Sequence, residues 1–215
     1  MTPQEQAPVR APEFPQNVNW IQGGPKTMAE LKGRVVLIDF WDYTCVNCIN
    51  TLPYVKEWHK RYADAGLVII GVHAPEFSFA HNGDHVRASV AEHGLEYPIV
   101  QDNDYAIWQA YANRYWPAHY LINHEGYLTY YHFGEGAYAE TEEAIQKALE
   151  TLMLGRTTVV IAHRLSTIQH ANQILVMHKG IVRERGSYQH LLRQDGLYRR
   201  LYELQYRDQE ERIES

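Results

Sequence analysis

Cys45 and Cys48 are the only cysteines in 215 residues, and they stand at C-x-x-C spacing. Two thiols this close cannot build a structural disulfide framework; the spacing reads as a redox-active dithiol or as half of a metal site. Zinc ordinarily takes four ligands, and with no second C-x-x-C in the chain, histidines would have to complete the set. The twelve histidines are mostly scattered singly through stretches that read as loops. The redox reading is therefore preferred, no metal is assigned, and the chemistry expected is thiol–disulfide exchange.

The segments around the pair must deliver and activate it. A β-branched, apolar run, Val35–Phe40, breaks at Trp41–Thr44, and an amphipathic pattern then runs from Cys45 to about Ala65. Leu52, Val55, Trp58 and Tyr62 recur at helical spacing and should face a core. A strand thus hands a dithiol to a helix N-terminus, where free N–H groups and the positive end of the helix dipole favour the thiolate, the reactive form. Pro53 falls inside this helix, where it removes one backbone hydrogen bond and should kink it.

The rest of the first two thirds alternates strands with helices. Met1–Pro15 is rich in Pro and Gln and reads as an extended lead-in; a Gly23–Gly24–Pro25 turn and a short helical turn over Thr27–Leu31 follow. Beyond the dithiol helix, Leu67–Val72 reads as a buried strand, His85–His93 as a helix, Tyr97–Val100 as a short strand and Tyr105–Ala112 as a helix. Ala118–Ile122 and Tyr127–His132 read as a hairpin about Asn123–Gly126. Glu140–Leu154 is a helix with Ala144, Ile145, Ala148, Leu149 and Leu152 on one face. This order describes an α/β sandwich, with chemistry expected at the carboxyl ends of strands, where Cys45 falls.

Composition sets the outer bounds. The chain is 45% hydrophobic and 21% charged, typical of a soluble globular protein, and no apolar run is long enough to span a membrane. No basic stretch followed by an apolar segment appears at the N-terminus, so no secretory signal is read there. Net charge is −9 over residues 1–155 and +3 over residues 156–215. Lys and Arg in the basic part are interspersed with acids, which argues against nucleic-acid binding.

Motifs running in order across the chain carry a family resemblance: F-W-D-Y-T-C-V-N-C with T-L-P-Y, G-V-H-A-P-E-F, Y-P-I-V-Q-D-N-D-Y, N-R-Y-W-P-A-H-Y-L-I and Y-H-F-G-E-G-A-Y. On these residues, about 11–150 resembles a thioredoxin-fold domain of the TlpA-like branch, of the DipZ type. The resemblance implies a three-layer α/β/α sandwich and a protein thiol–disulfide oxidoreductase with no cofactor. It implies protein substrates bearing disulfides or dithiols, an electron donor or acceptor, and work outside the cytoplasm. The missing signal points instead to the cytoplasm.

Cys45, nearest the helix end, would be the attacking thiolate, and Cys48, one turn in and more buried, would resolve the mixed disulfide. Asp39 matches the family's buried acid and would take the resolving cysteine's proton. Trp41 matches its aromatic flank. Pro117, after Trp116, matches the cis-proline facing the dithiol, and Glu76 an acid that tunes the thiols. Val46–Asn47 replaces the Gly–Pro of ordinary thioredoxin, and Thr44 replaces a common aromatic.

The remainder carries a second set of motifs. A-L-E-T-L-M-L-G-R-T-T-V-V-I-A-H-R-L-S-T-I, A-N-Q-I-L-V-M-H-K-G-I-V, R-G-S-Y-Q-H-L-L and G-L-Y-R-R-L-Y-E-L-Q resemble the C-terminal end of an ABC exporter's nucleotide-binding domain. The resemblance matches His163 to the switch histidine that contacts the γ-phosphate. No G-x-x-x-x-G-K-[ST] loop occurs to hold the phosphates, and no L-S-G-G-Q signature, so His163 reads as a relic and no ATP is expected. The division expected is an extended segment 1–10, a redox domain 11–150, a smaller α/β appendage 151–207 and a charged, frayed tail 208–215. Within the appendage, Thr157–Ala162 reads as a strand, Leu165–Ala171 as helical, Gln173–Met177 and Ile181–Glu184 as a hairpin, and Tyr188–Arg193 and Leu197–Arg207 as helices. Its strands lack their parent sheet and must pair with one another, extend the first sheet, or be covered by a homodimer. An alternative function is a binding module in which this appendage docks a partner.

Overall fold

The computed structural model describes residues 8–153, 159, 165–169 and 171–204. The chain divides into two compact units, Met1–Thr158 and Val159–Ser215. The expected strand over Thr157–Ala162 apart from Val159, the charged tail 208–215 and His163 lie outside the described residues, as do the first seven.

The first unit is built on a six-stranded mixed sheet. In chain order its elements are β1 (Asn19–Gln22), β2 (Val35–Trp41), α1 (Val46–Tyr62), β3 (Leu67–His73), α2 (Gly83–Glu92), β4 (Ile99–Gln101), α3 (Ala106–Ala110), β5 (Ala118–Ile122), β6 (Leu128–Phe133) and α4 (Tyr138–Met153). The strand order is β1-β4-β3-β2-β5-β6, with β2, β3 and β4 mutually parallel and β1, β5 and β6 antiparallel to their neighbours. All seven residues of β2 are buried, as a strand covered on both faces requires.

Alternation along β2 sorts its side chains into two cores. Val35, Leu37 and Trp41 join Leu52, Val55, Trp58 and Tyr62 of α1 and Ile145, Leu149 and Leu152 of α4. Val36, Ile38 and Phe40 pack on the opposite face with Ile107 of α3, Tyr111, Phe14 and Leu31. This is the expected three-layer α/β/α sandwich. Trp58 is 2% exposed, and truncating such a side chain to Ala typically costs about 3–5 kcal/mol.

Several boundaries differ from the sequence expectation for identifiable reasons. The dithiol helix starts at Val46 with Cys45 as its N-cap, and it continues through Pro53 to Tyr62. β4 begins at Ile99 instead of Tyr97, because the Gln22 side-chain amide donates to the Leu95 and Tyr97 carbonyls and Pro98 has no N–H to offer a ladder. The helix expected over Tyr105–Ala112 shortens to α3 because Tyr105 and Ala112 both take positive φ, 58° and 49°. Asp102 caps α3 by accepting from the N–H groups of Ile107 and Trp108. The β5–β6 hairpin closes as expected, its turn held by Asn123 Oδ1, which accepts from the N–H groups of Glu125 and Tyr127.

In the second unit β7 (Ile174–His178) and β8 (Ile181–Gly186) pair with each other as a separate antiparallel ribbon. Lys179 and Gly180 take positive φ at its turn. Ser187 caps α5 (Tyr188–Arg193), and residues 197–204 are helical. Ile174, Val176, Leu191 and Tyr198 form a small core, while Leu175, Met177, Ile181 and Val182 are exposed. The helix expected over Leu165–Ala171 is reduced to a 3-10 turn, Leu165–Ile168.

Candidate dithiol site

Strand β2 ends at Trp41, and the next three residues form the turn that presents Cys45. Asp42 organises this turn. Its carbonyl accepts from Cys45 N–H at 3.1 Å, and its carboxylate accepts from Thr44 N–H at 3.2 Å, Thr44 Oγ1 at 2.8 Å and Glu76 N–H at 2.8 Å. His73 Nε2, at the end of β3, completes the set 3.1 Å from Oδ1. Tyr43 stacks on the His73 ring, and Trp41 meets that ring edge-on.

Cys45 caps the helix with its sulfur: Cys48 N–H donates to Cys45 Sγ at 3.3 Å. The two thiols are free, with Cys48 Sγ within hydrogen-bonding reach of Cys45 Sγ at 2.6 Å. Cys45 is half-buried and Cys48 1% exposed. That contrast separates their acidities. The Cys48 thiol hydrogen bond brings Cys45 down to about 7, assisted by the N–H groups of Cys48 and Asn47; burial and the Glu76 charge oppose. Burial pushes Cys48 far above the ordinary thiol range, and its bond to Cys45 and the charges of Cys45 and Asp39 add to the rise. Burial would also push Asp42 up, but the bonds with His73, Glu76 and Thr44 outweigh it and hold that carboxyl below its usual value.

The residues singled out in the sequence converge on this place to different degrees. Asp39 is buried in the middle of the sheet, and its charge acts on Cys48. Trp41 is fully buried in the core that Cys48 joins. Glu76 is exposed, and its charge acts on Cys45. Trp116 packs against that same core and donates from Nε1 to the Ala74 carbonyl, just past β3. The Trp116–Pro117 peptide is cis, and so is Gly24–Pro25, which the sequence did not announce. Among the described residues no group of three or more His, Cys, Asp or Glu is gathered to hold a metal.

Three residues of the site were missed, Asp42, His73 and His119. Asp42 and Thr44 shape the turn, and His73 and His119 are buried strand residues, not loop histidines. A signal did exist for the histidines. Each sits in an otherwise apolar strand, L-V-I-I-G-V-H and A-H-Y-L-I, where a polar side chain needs a buried partner.

Comparison with known proteins places this geometry. The model of the AhpC/TSA family matches residues 9–131. The chain belongs to the AhpC/TSA family. It is 43% identical over 142 residues to Protein DipZ of Mycobacterium bovis, a match that covers 65% of this chain and 20% of that protein. A solved thioredoxin-like protein in the oxidized form superposes with TM-score 0.61 at 28% identity, over 67% of this chain and 97% of that one. A separate match, 59% identical over 68 residues, is to the ATP-dependent lipid A-core flippase of Paraburkholderia xenovorans, covering 32% of this chain and 11% of the flippase. This chain therefore spans only a small part of either curated relative.

Proposed function

We propose that this protein is a thiol–disulfide oxidoreductase that exchanges disulfides with protein substrates through Cys45 and Cys48. The observation that carries the reading is the opposed tuning of two sulfurs 2.6 Å apart, with Cys45 at about 7 and Cys48 far above the thiol range. Membership of a thioredoxin-like family supports it. The half-buried Cys45 thiolate attacks a substrate disulfide, forming a mixed disulfide and releasing one substrate thiolate. Cys48 then gives up its proton and attacks Cys45 Sγ; the Cys45–Cys48 disulfide forms and the second substrate thiolate leaves. The substrate gains two electrons and the dithiol loses them; the reverse sequence oxidises a substrate dithiol. Val46, Phe77 and Phe79, all exposed and close in sequence to Cys45 or Glu76, offer apolar surface to a polypeptide.

In this proposal residues 11–150 are the redox domain, with Asp39 serving Cys48, Glu76 modulating Cys45, and Trp41, Trp116 and Pro117 shaping the surroundings. Residues 151–207 are a remnant of an ABC exporter's nucleotide-binding domain, supported by the flippase match and carrying no phosphate loop. The splice lies within a helix acceptable to both parents, Ala139–Glu150.

The test is substrate trapping. A Cys48→Ser variant should accumulate mixed disulfides through Cys45, and Cys45→Ser should not. Equal partner capture by the double serine variant would instead make the appendage a docking module. The reduction potential sets the direction: ~−270 mV would make a reductant and ~−120 mV an oxidant.

A further inference from the structure

Asp39 and His119 stand opposite each other in β2 and β5. Each is 1% exposed, and His119 Nε2 lies 3.3 Å from Asp39 Oδ1. None of the four polar atoms involved, Asp39 Oδ1 and Oδ2 or His119 Nδ1 and Nε2, makes a hydrogen bond among the described residues. Burying a carboxylate and an imidazole without hydrogen bonds opposes folding, and native cores rarely keep such groups without a use for them.

The surroundings show what that use is. From α1, the Cys48 thiol lies within reach of the Asp39 charge, and Trp58 makes a T-shaped contact with the His119 ring at a centroid distance of 5.6 Å. From β3 the register partner of Asp39 is Gly71, which has no side chain to offer. Tyr97, fully buried, lies within reach of the Asp39 charge. On β6, His132 is the register partner of His119. α4 contributes the apolar Ile145 and Leu149 to this core. His119 is the one cation-forming side chain at ion-pair distance from the Asp39 carboxylate among the described residues.

We propose that His119 is a positioning residue for the resolving step, holding the Asp39 carboxylate beside Cys48 and sharing the proton that Cys48 must release. The proposal rests on the dithiol reading above and extends it to one further residue. In the mixed disulfide the Cys48 S–H bond breaks and its electron pair stays on sulfur. The Sγ–Sγ bond to Cys45 forms, the bond from Cys45 Sγ to the substrate sulfur breaks, and the electrons leave on the substrate thiolate. The proton passes to the Asp39–His119 pair, and water protonates the departing thiolate. A carboxylate and an imidazole 3.3 Å apart can share that proton between them, so it need not remain on the atom that first receives it.

The experiment uses the reduced full-length chain and the aromatic disulfide DTNB, followed by stopped-flow between pH 5 and 9. The first equivalent of released thiolate reports attack by Cys45, and the second reports resolution by Cys48. His119→Gln should leave the first phase within about twofold of wild type. It should slow the second at least tenfold at pH 7 and abolish its pH inflection. In an Asp39→Asn background the same substitution should add less than twofold, because the two residues act as one unit. An unchanged second phase, or losses that multiply in the double variant, would overturn the proposal. Should His119→Gln fail to fold, the ring ¹⁵N shifts of His119 in wild type decide: they must differ between reduced and oxidised protein, and identical titrations in both forms would refute the role. Wild type that releases no thiolate at all would instead defeat the dithiol reading itself.

Discussion

Asp42 Oδ1 and His73 Nε2 lie 3.1 Å apart, with neither side chain exposed. The pair joins the end of β2 to the end of β3, and the same carboxylate holds Thr44 and the Glu76 backbone. One side chain thus fixes both the turn that presents Cys45 and the loop that brings a negative charge towards it. Replacing Asp42 by Ala should cost about 1–3 kcal/mol, the usual penalty for leaving a buried hydrogen-bond partner unsatisfied. The sign of the pH effect follows from the lowered carboxyl. Its contribution is fully present above the unfolded value of ~3.9 and is lost as pH falls through the lower folded value. Urea unfolding should therefore separate wild type from Asp42→Ala at pH 7, with the gap closing in strong acid.

Cys45 should react as a thiolate at neutral pH. Its rate of alkylation by iodoacetamide should rise to half its maximum near pH 7, against ~8.5 for an unperturbed thiol. Cys48 should stay unmodified across the same range in the folded protein. Mass spectrometry of the alkylated chain gives both results, and a Cys45 midpoint above 8 would contradict the opposed tuning.

The Glu76 charge acts against the Cys45 thiolate. Neutralising it as Glu76→Gln should move the alkylation midpoint below that of wild type, because a like charge has been removed. The Glu76 backbone N–H that bonds Asp42 is kept, so stability should change by no more than ~0.5 kcal/mol. An upward shift in the midpoint would assign Glu76 a different role.

Gly71 faces Asp39 from β3, and a Cβ there would come within 2.6 Å of Ile99 Cδ1 and 3.2 Å of both Trp41 Nε1 and Tyr97 Cε2. The Ile99 methyl can move aside, but the two rings are held in the core. Gly71→Ala should lose about 1–3 kcal/mol by overpacking. Thermal and urea denaturation measure it, and a neutral result would show that the core beside Asp39 yields more readily than its packing suggests.

The β7–β8 ribbon is two-stranded with a core of four buried side chains, whereas β2 is buried along its whole length. An isolated two-stranded ribbon is marginal in water. Amide exchange in Ile174–His178 should therefore be much faster than in Val35–Phe40. Equal protection would show the second unit to be as stable as the first.

Much of this molecule was determined by local pattern. The β-branched run Val35–Phe40, the C-x-x-C at a helix start and the hairpin about Asn123–Gly126 each follow from the preferences of a short stretch, and each stands where the sequence put it. Cys45 and Cys48 were legible for the same reason, since their spacing sets their relation. Pairings between distant strands were not legible. Asp39 and His119 are 80 positions apart, Asp42 and His73 are 31 apart, and only the register of β2 against β5 and β3 brings each carboxylate to its imidazole. Sequence determined which residues could do redox chemistry. Tertiary structure decided how deeply each sulfur is buried and which charges stand near it, because burial, hydrogen bonding and nearby charge, not residue type, set the acidity of a thiol.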